Sequence, residues 1–276
     1  MKPLRVGHSR ALPDAASYLA WETRRIPGAP AIEAVPAARS ATNSGVLAGV
    51  YDIARVSMGI LPRLPDDYQM LPAGASVGRG CGPVLLTARP APDLDRLRDC
   101  AIAGGSEFLT SFLLVGLWAL PWRPRLTAPL PIEEIFGRVS TGRAAAGVVP
   151  AEGRALAEMA GLHVALDLGQ WWEETTGLPV PLCATVARTS LGPELLTVVT
   201  HTIQESVEYA LHHHDAVFDH LHRTVDLDDG VLEAHWKLFP LAAPPILDDQ
   251  GFRAVEELIG QAARAGVCPA LPKPLR

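Results

Sequence analysis

Several things are scarce in this chain, and each scarcity removes a class of protein. Only four cysteines occur in 276 residues, Cys81, Cys100, Cys183 and Cys268. They stand far apart, with no C-x-x-C pair and no metal-ligand spacing, so neither a disulfide scaffold nor a thiolate metal site is expected. They read as reduced packing thiols. No Lys/Arg-rich run is present and the net charge is −6, which argues against nucleic acid as a partner. The longest apolar stretch, Phe108 to Leu120, falls short of the ~20 residues a membrane-spanning helix needs. MKPLRVGHSR at the start lacks the apolar run of ~7–15 residues that marks a signal peptide. A cytoplasmic protein without membrane contact is the expectation.

What is present is a large apolar fraction, 48%, sufficient for a substantial core. Short apolar runs alternate with helical patterns. Strands are expected at 4–8, 31–37, 51–57, 82–89, 144–150, 163–169 and 181–188. DCAIAGG (99–105) opens a further unit. Helices are expected at 14–25, 43–48, 107–119 and 132–143. From Gly192 onward the pattern is almost continuous helix. Such alternation predicts an α/β protein with largely parallel sheets. The strands fall into two groups, so residues 1–90 with 183–276 are expected to form one lobe and 91–182 an inserted second. A cleft between lobes is a usual place for a ligand.

Some local features invite chemistry. The run HHHD (212–215), with His220 and His222, suggests metal, but adjacent helical histidines point apart and a solvated helix end is the plainer reading. Gly78, Gly80 and Gly82 lack the strand-to-helix context of a dinucleotide loop, and they fit backbone geometry near a lobe crossover. In DLGQWWEETTGLPVP (167–181), Glu173 and Glu174 could be a paired acid and base. The alternative is scaffold, with one of Trp171 and Trp172 packed inward and the other lining the cleft, since helical neighbours point ~100° apart.

Five stretches taken together, VGHS (6–9), YDIARVSMG (51–59), LPAGASVGRGCGP (71–83), DLGQWWEETTGLPVPL (167–182) and SVEYAL (206–211), resemble the 1,4-dihydroxy-6-naphthoate synthase family of the futalosine route to menaquinone. The likeness runs in order over nearly the whole chain. It implies a two-lobed, type II periplasmic-binding-protein-like α/β fold with two lobe crossovers and a helical C-terminal segment. It implies a small-molecule substrate in the interlobe cleft, similar to cyclic dehypoxanthine futalosine, cleaved without metal or organic cofactor. A homodimer is compatible with it.

The sequence departs from the family at three pocket loops. In SRALPDAAS (9–17), Ser9 and Asp14 are kept, whereas Arg10, Ala11 and Leu12 replace small polar and proline residues. In GSEFLTSFLL (105–114), Phe108 and Leu109 stand where the family carries a Thr-Thr pair. In VVPAEG (148–153), Pro150 and Ala151 stand where the resemblance implies isoleucine and the catalytic histidine; Glu152 and Gly153 are kept. An alanine methyl takes no proton, so general-base catalysis from that position is absent. His8 and Glu152 are the candidate replacements. Ser9, Arg10, Asp14, Ser57, Ser106, Glu107, Phe108, Thr110, Ala151, Arg154 and Trp172 are candidate substrate contacts. Each has a plainer alternative: a satisfied strand-end histidine, charges in a helix's first turn, surface arginines.

Three functions follow from this combination. The chain is a carbon–carbon lyase still acting on a futalosine-derived or related polycyclic substrate, or a relative turned to another elimination or cyclisation, or a non-catalytic small-molecule binder. Lineage favours the first.

Overall fold

The computed structural model describes residues 2–104, 108–122, 124–127, 130–151, 153–224 and 228–275. Ten strands form two five-stranded sheets among these residues. The first sheet has the order β2 (Ile32–Pro36), β1 (Leu4–His8), β3 (Ile53–Ser57), β10 (Val180–Arg188), β4 (Tyr68–Gly78). The second has β7 (Arg125–Leu126), β6 (Ala101–Ala103), β8 (Ala146–Val149), β5 (Val84–Thr87), β9 (His163–Asp167). The two orders correspond position by position. In each, three parallel strands stand beside a strand antiparallel to its neighbours. That reversed strand leads into its sheet from the other lobe.

The sheets are therefore mixed rather than largely parallel. Two further expectations change with this. Val84–Thr87, assigned to the first lobe from sequence, pairs with β8 and β9 in the second sheet. Val180 and Pro181, assigned to the second lobe, pair with β4 in the first. A short apolar run such as VLLT, buried at all four positions, fits the middle of either sheet, and its sequence does not say which. The eleven-residue strand β4 was not expected at all. Its Pro72 and its Gly74 at φ 69° break the alternation that betrays a strand, and register shifts against β10 accommodate the irregularity.

Helices α1 (Leu12–Glu22), α2 (Arg39–Leu47), α3 (Leu94–Leu97), α4 (Thr110–Trp118), α5 (Ile132–Ser140), α6 (Gly153–Met159) and α7 (Leu168–Thr176) follow strands and cover the sheets. α7 shows how local chemistry sets the ends. The Asp167 carboxylate accepts from Gln170 N at 2.9 Å, and Gly177 closes the helix at φ 70°, a conformation glycine adopts without a Cβ penalty. The C-terminal helices are α8 (Pro193–His212), α9 (His214–Thr224), α10 (Asp229–Ala242) and α11 (Asp249–Arg264). α8 packs on α1 and β4, and α11 packs on both α4 and β10. α11 buries Phe252, Val255, Leu258, Ile259 and Ala262, a stripe at helical spacing. No helix among the described residues is long and apolar enough to cross a membrane.

Candidate functional site

In open α/β sheets, ligands bind outside the carboxyl ends of the parallel strands. In the first lobe these ends are His8–Ser9 after β1 and Ser57 after β3. In the second they are Gly104 after β6 and Pro150–Ala151 after β8. The lobes touch at this level. A Cβ added to Gly59 would stand 2.5 Å from the Phe108 carbonyl oxygen, so only glycine permits the approach. Thr110 Oγ1 donates to the Leu182 carbonyl at 2.7 Å, and the Arg63 guanidinium lies 5.4 Å from the Phe108 ring centroid.

Beneath the first-lobe ends lies a buried ionic network. Asp14, in the first turn of α1, is 1% exposed. Its Oδ2 accepts from Ser9 N and Ser9 Oγ, both at 2.8 Å. Its Oδ1 lies 2.7 Å from Arg55 Nε, and both its oxygens lie 2.5 Å from Arg39 Nη2. Burial works against the carboxylate, but Arg39 and Arg55 outweigh it and hold its pKa down to about 2. Arg55 is fully buried and also donates to the Gly74 carbonyl and Ser76 Oγ. Asn43 lies one turn beyond Arg39 on α2. It accepts from Ser57 N at 3.1 Å and donates to Ser57 Oγ at 3.4 Å.

His8 is buried and stacked on Tyr18 at 5.0 Å. Its Nε2 lies 2.6 Å from Glu22 Oε1 and its Nδ1 lies 2.8 Å from the Ser9 carbonyl. Burial pushes its pKa down; Glu22, then Asp14 and the Ser9 carbonyl, push it up further, and the net shift is upward. Its two ring nitrogens thus stand beside the Glu22 carboxylate and the Ser9 carbonyl. His8, expected as a catalytic group, lies inside the first lobe beside Glu22 rather than on an open surface.

The other candidates divide clearly. Ser9, Asp14 and Ser57 do gather at the strand ends, but Asp14 is consumed by its two arginines. Arg10 is exposed at the start of α1, and Ala151 is buried in the turn before α6. Phe108 and Thr110, expected to contact substrate, lie where the lobes meet, through the contacts above. Arg154 pairs with Asp167 in a shallow depression of about 390 Å³ that also touches Trp171 and Glu174. Trp172, expected to contact substrate, is fully buried and donates Nε1–H to the Pro179 carbonyl at 3.0 Å; it is core. Ser106, Glu107 and Glu152 lie outside the described residues.

Glu173 and Glu174 are no acid–base pair. Glu173 accepts from Gly80 N at 2.9 Å at the lobe crossover, whereas Glu174 accepts from Gln170 at 2.8 Å. In the histidine run, His212 and His213 are bound to the Glu208 and Tyr209 carbonyls, and His222 to Asp229. Among the described residues no group of three or more His, Cys, Asp or Glu could hold a metal ion. A mostly apolar cavity of about 860 Å³ lies elsewhere, between β4, α8 and the C-terminal tail, and includes none of the expected site residues.

Sequence reasoning missed Arg39, Asn43, Arg55 and Glu22. One signal was available: an arginine inside the apolar strand IARVS must find a carboxylate if the strand is buried on both faces.

Two α/β lobes with matching strand orders, each completed by a strand from the other, define the class: a two-lobed protein with the periplasmic-binding-protein type of fold. The alkanesulfonate-binding protein of Xanthomonas axonopodis pv. citri, solved with MOPS, shares the fold at a TM-score of 0.74 and 15% identity, over 99% of this chain and 96% of that one. Within that class the chain belongs to the menaquinone biosynthesis family, whose model matches residues 4–264. It is 35% identical to a 1,4-dihydroxy-6-naphthoate synthase of Streptomyces coelicolor, over 97% of this chain and 95% of that protein. It is 30% identical to the Thermus thermophilus protein of the same name, over 100% and 99%. A crystal structure of a protein from Archaeoglobus fulgidus matches at a TM-score of 0.83 and 25% identity, over 96% of this chain and 98% of that one.

Proposed function

We propose that this chain is a cytoplasmic, cofactor-independent carbon–carbon lyase that acts on a carboxylated polycyclic molecule of the cyclic dehypoxanthine futalosine kind. The observation that carries the reading is end-to-end kinship with an enzyme family, at 35% identity over 97% of the chain to a relative named for forming dihydroxynaphthoate. The first lobe supports it locally. Ser57 and Asn43, coupled to each other at the end of β3, offer neutral hydrogen-bonding groups where such a substrate would lie. Arg55 and Asp14 fix the strand ends behind them, so the substrate meets a floor that does not rearrange.

Ala151 has no proton to exchange, and His8 is buried beside Glu22. A non-catalytic binder is therefore the second reading, and a single experiment separates the two. Purified protein is incubated with cyclic dehypoxanthine futalosine, product is followed by mass spectrometry and binding by calorimetry. Dihydroxynaphthoate formation supports the lyase. Tight binding with no product refutes the lyase in favour of the binder. Neither binding nor turnover removes this substrate and leaves the family's scaffold serving another elimination or cyclisation.

A further inference from the structure

Two guanidinium groups share one carboxylate at the floor of the first lobe. Arg55 is fully enclosed; it donates to the Gly74 carbonyl and Ser76 Oγ, and its Nε stands 2.7 Å from Asp14 Oδ1. Arg39 shares the same carboxylate and donates from Nη1 to the Arg55 carbonyl. The neighbouring His8 and Glu22 neutralise each other across 2.6 Å. One positive charge thus has no carboxylate of its own within the network. Arg55 cannot present that charge, because its side chain is 0% exposed, whereas the Arg39 side chain is 20% exposed.

The position of Arg39 is as telling as its charge. It is the first residue of α2, and Asn43, one turn further along the same face, is bound to Ser57. The guanidinium is thereby held at the carboxyl ends of β1 and β3, pre-ordered by Asp14 on one side and the Arg55 carbonyl on the other. A planar fork whose orientation is already fixed loses little entropy when it takes a second carboxylate.

We propose that Arg39 is the anion anchor of the interlobe site and binds the carboxylate of an aromatic ligand, beside the Ser57–Asn43 pair. This rests on the reading of that site as a small-molecule site, and not on the chemistry performed there. Calorimetric titration with 2-naphthoate and with 2-naphthamide tests it. The wild-type protein is expected to take the carboxylate and to bind the amide on the order of 100-fold more weakly. Arg39→Gln is expected to lose that preference, whereas Arg25→Gln, three residues past the end of α1, keeps it. If Arg39→Gln fails to fold, Arg39→Lys serves. It keeps a cation opposite Asp14 but not the planar fork, and an affinity for naphthoate at least tenfold lower at unchanged melting temperature is expected. A wild type that does not distinguish the two probes, whether it binds both or neither, overturns the proposal. So does an Arg39→Gln or Arg39→Lys protein that binds naphthoate as the wild type does. Neither probe is turned over, so the two readings fail separately. Naphthoate held through Arg39 without product from cyclic dehypoxanthine futalosine removes the lyase and keeps the anchor; product formation untouched by Arg39→Gln removes the anchor and keeps the lyase.

Discussion

Replacing Asp14 by asparagine removes the one carboxylate that two buried or half-buried guanidinium groups share, at almost constant volume. Asparagine keeps an acceptor for Ser9, so most of the loss is electrostatic. Arg55, at 0% exposure, is left with the Gly74 carbonyl and Ser76 Oγ, which each accept one hydrogen bond from it but do not neutralise its charge. Breaking a buried pair by removing one partner costs about 3–5 kcal/mol, and that is the loss of stability expected at pH 7 from urea denaturation followed by circular dichroism. The pH dependence is a second signature. The Asp14 carboxyl is held at about 2 against an ordinary 3.8, so its folded pKa is depressed. Its contribution is present above pH 3.8 and is lost as the pH falls through about 2. A shift of nearly two units corresponds to about 2 kcal/mol. The gap between wild type and Asp14→Asn therefore narrows by that amount as the pH drops across this window. A loss under about 1 kcal/mol at pH 7, or a gap that ignores pH, would refute the account of the network. Adding Arg55→Met to Asp14→Asn removes the stranded cation and is expected to restore much of the stability, because apolar residues often replace buried ion pairs without loss.

Further outcomes follow from particular contacts. Ala151→His places an imidazole in the buried turn after β8, and turnover of cyclic dehypoxanthine futalosine is expected to rise on the order of 100-fold; an unchanged rate in steady-state assays sinks the idea that the missing base belongs there. Trp172→Phe leaves the Pro179 carbonyl without its donor inside the core and is expected to cost about 1–3 kcal/mol in urea denaturation, with no change in ligand affinity. Glu173→Gln and Glu174→Gln are expected to leave turnover within about twofold, since neither carboxylate reaches the strand ends, and a hundredfold fall in either would restore the paired-carboxylate reading.

The α/β class, most strands and the helical C-terminal segment were legible in the sequence, because apolar periodicity is a local property. The lobe boundaries were not. VLLT was placed in the first lobe and Val180–Pro181 in the second, each opposite to the sheet it joins, and a strand's own residues do not record which neighbours it will find. For the candidate site, Ser9, Asp14 and Ser57 were named from the sequence and stand at the strand ends, but their partners were not named. Glu22, Arg39 and Arg55 stand 8, 25 and 41 residues from Asp14 in the chain, and only folding places them around it. A histidine at a strand end gives no sign that Glu22 will stand beside His8 Nε2 and the Ser9 carbonyl beside its Nδ1. Trp172 was misjudged for a similar reason: on a short helix the inward tryptophan cannot be told from its neighbour until the Pro179 carbonyl is seen to receive its N–H.

The exchange of strands between the lobes sets a timetable for synthesis. Within the first sheet β4 pairs only with β10, which itself lies between β4 and β3. Gly78, the last residue of β4, leaves the ribosome about 100 residues ahead of Val180, the first of β10, an interval of roughly 5–20 s at usual translation speeds. During that interval the eleven residues of β4 have no partner in their sheet, and the first lobe waits, open at one side, for a strand delivered through the second. A nascent chain halted before residue 180 thus presents an unpaired strand edge, the surface to which chaperones and other unfinished chains bind. The lobe that begins synthesis is the last to close.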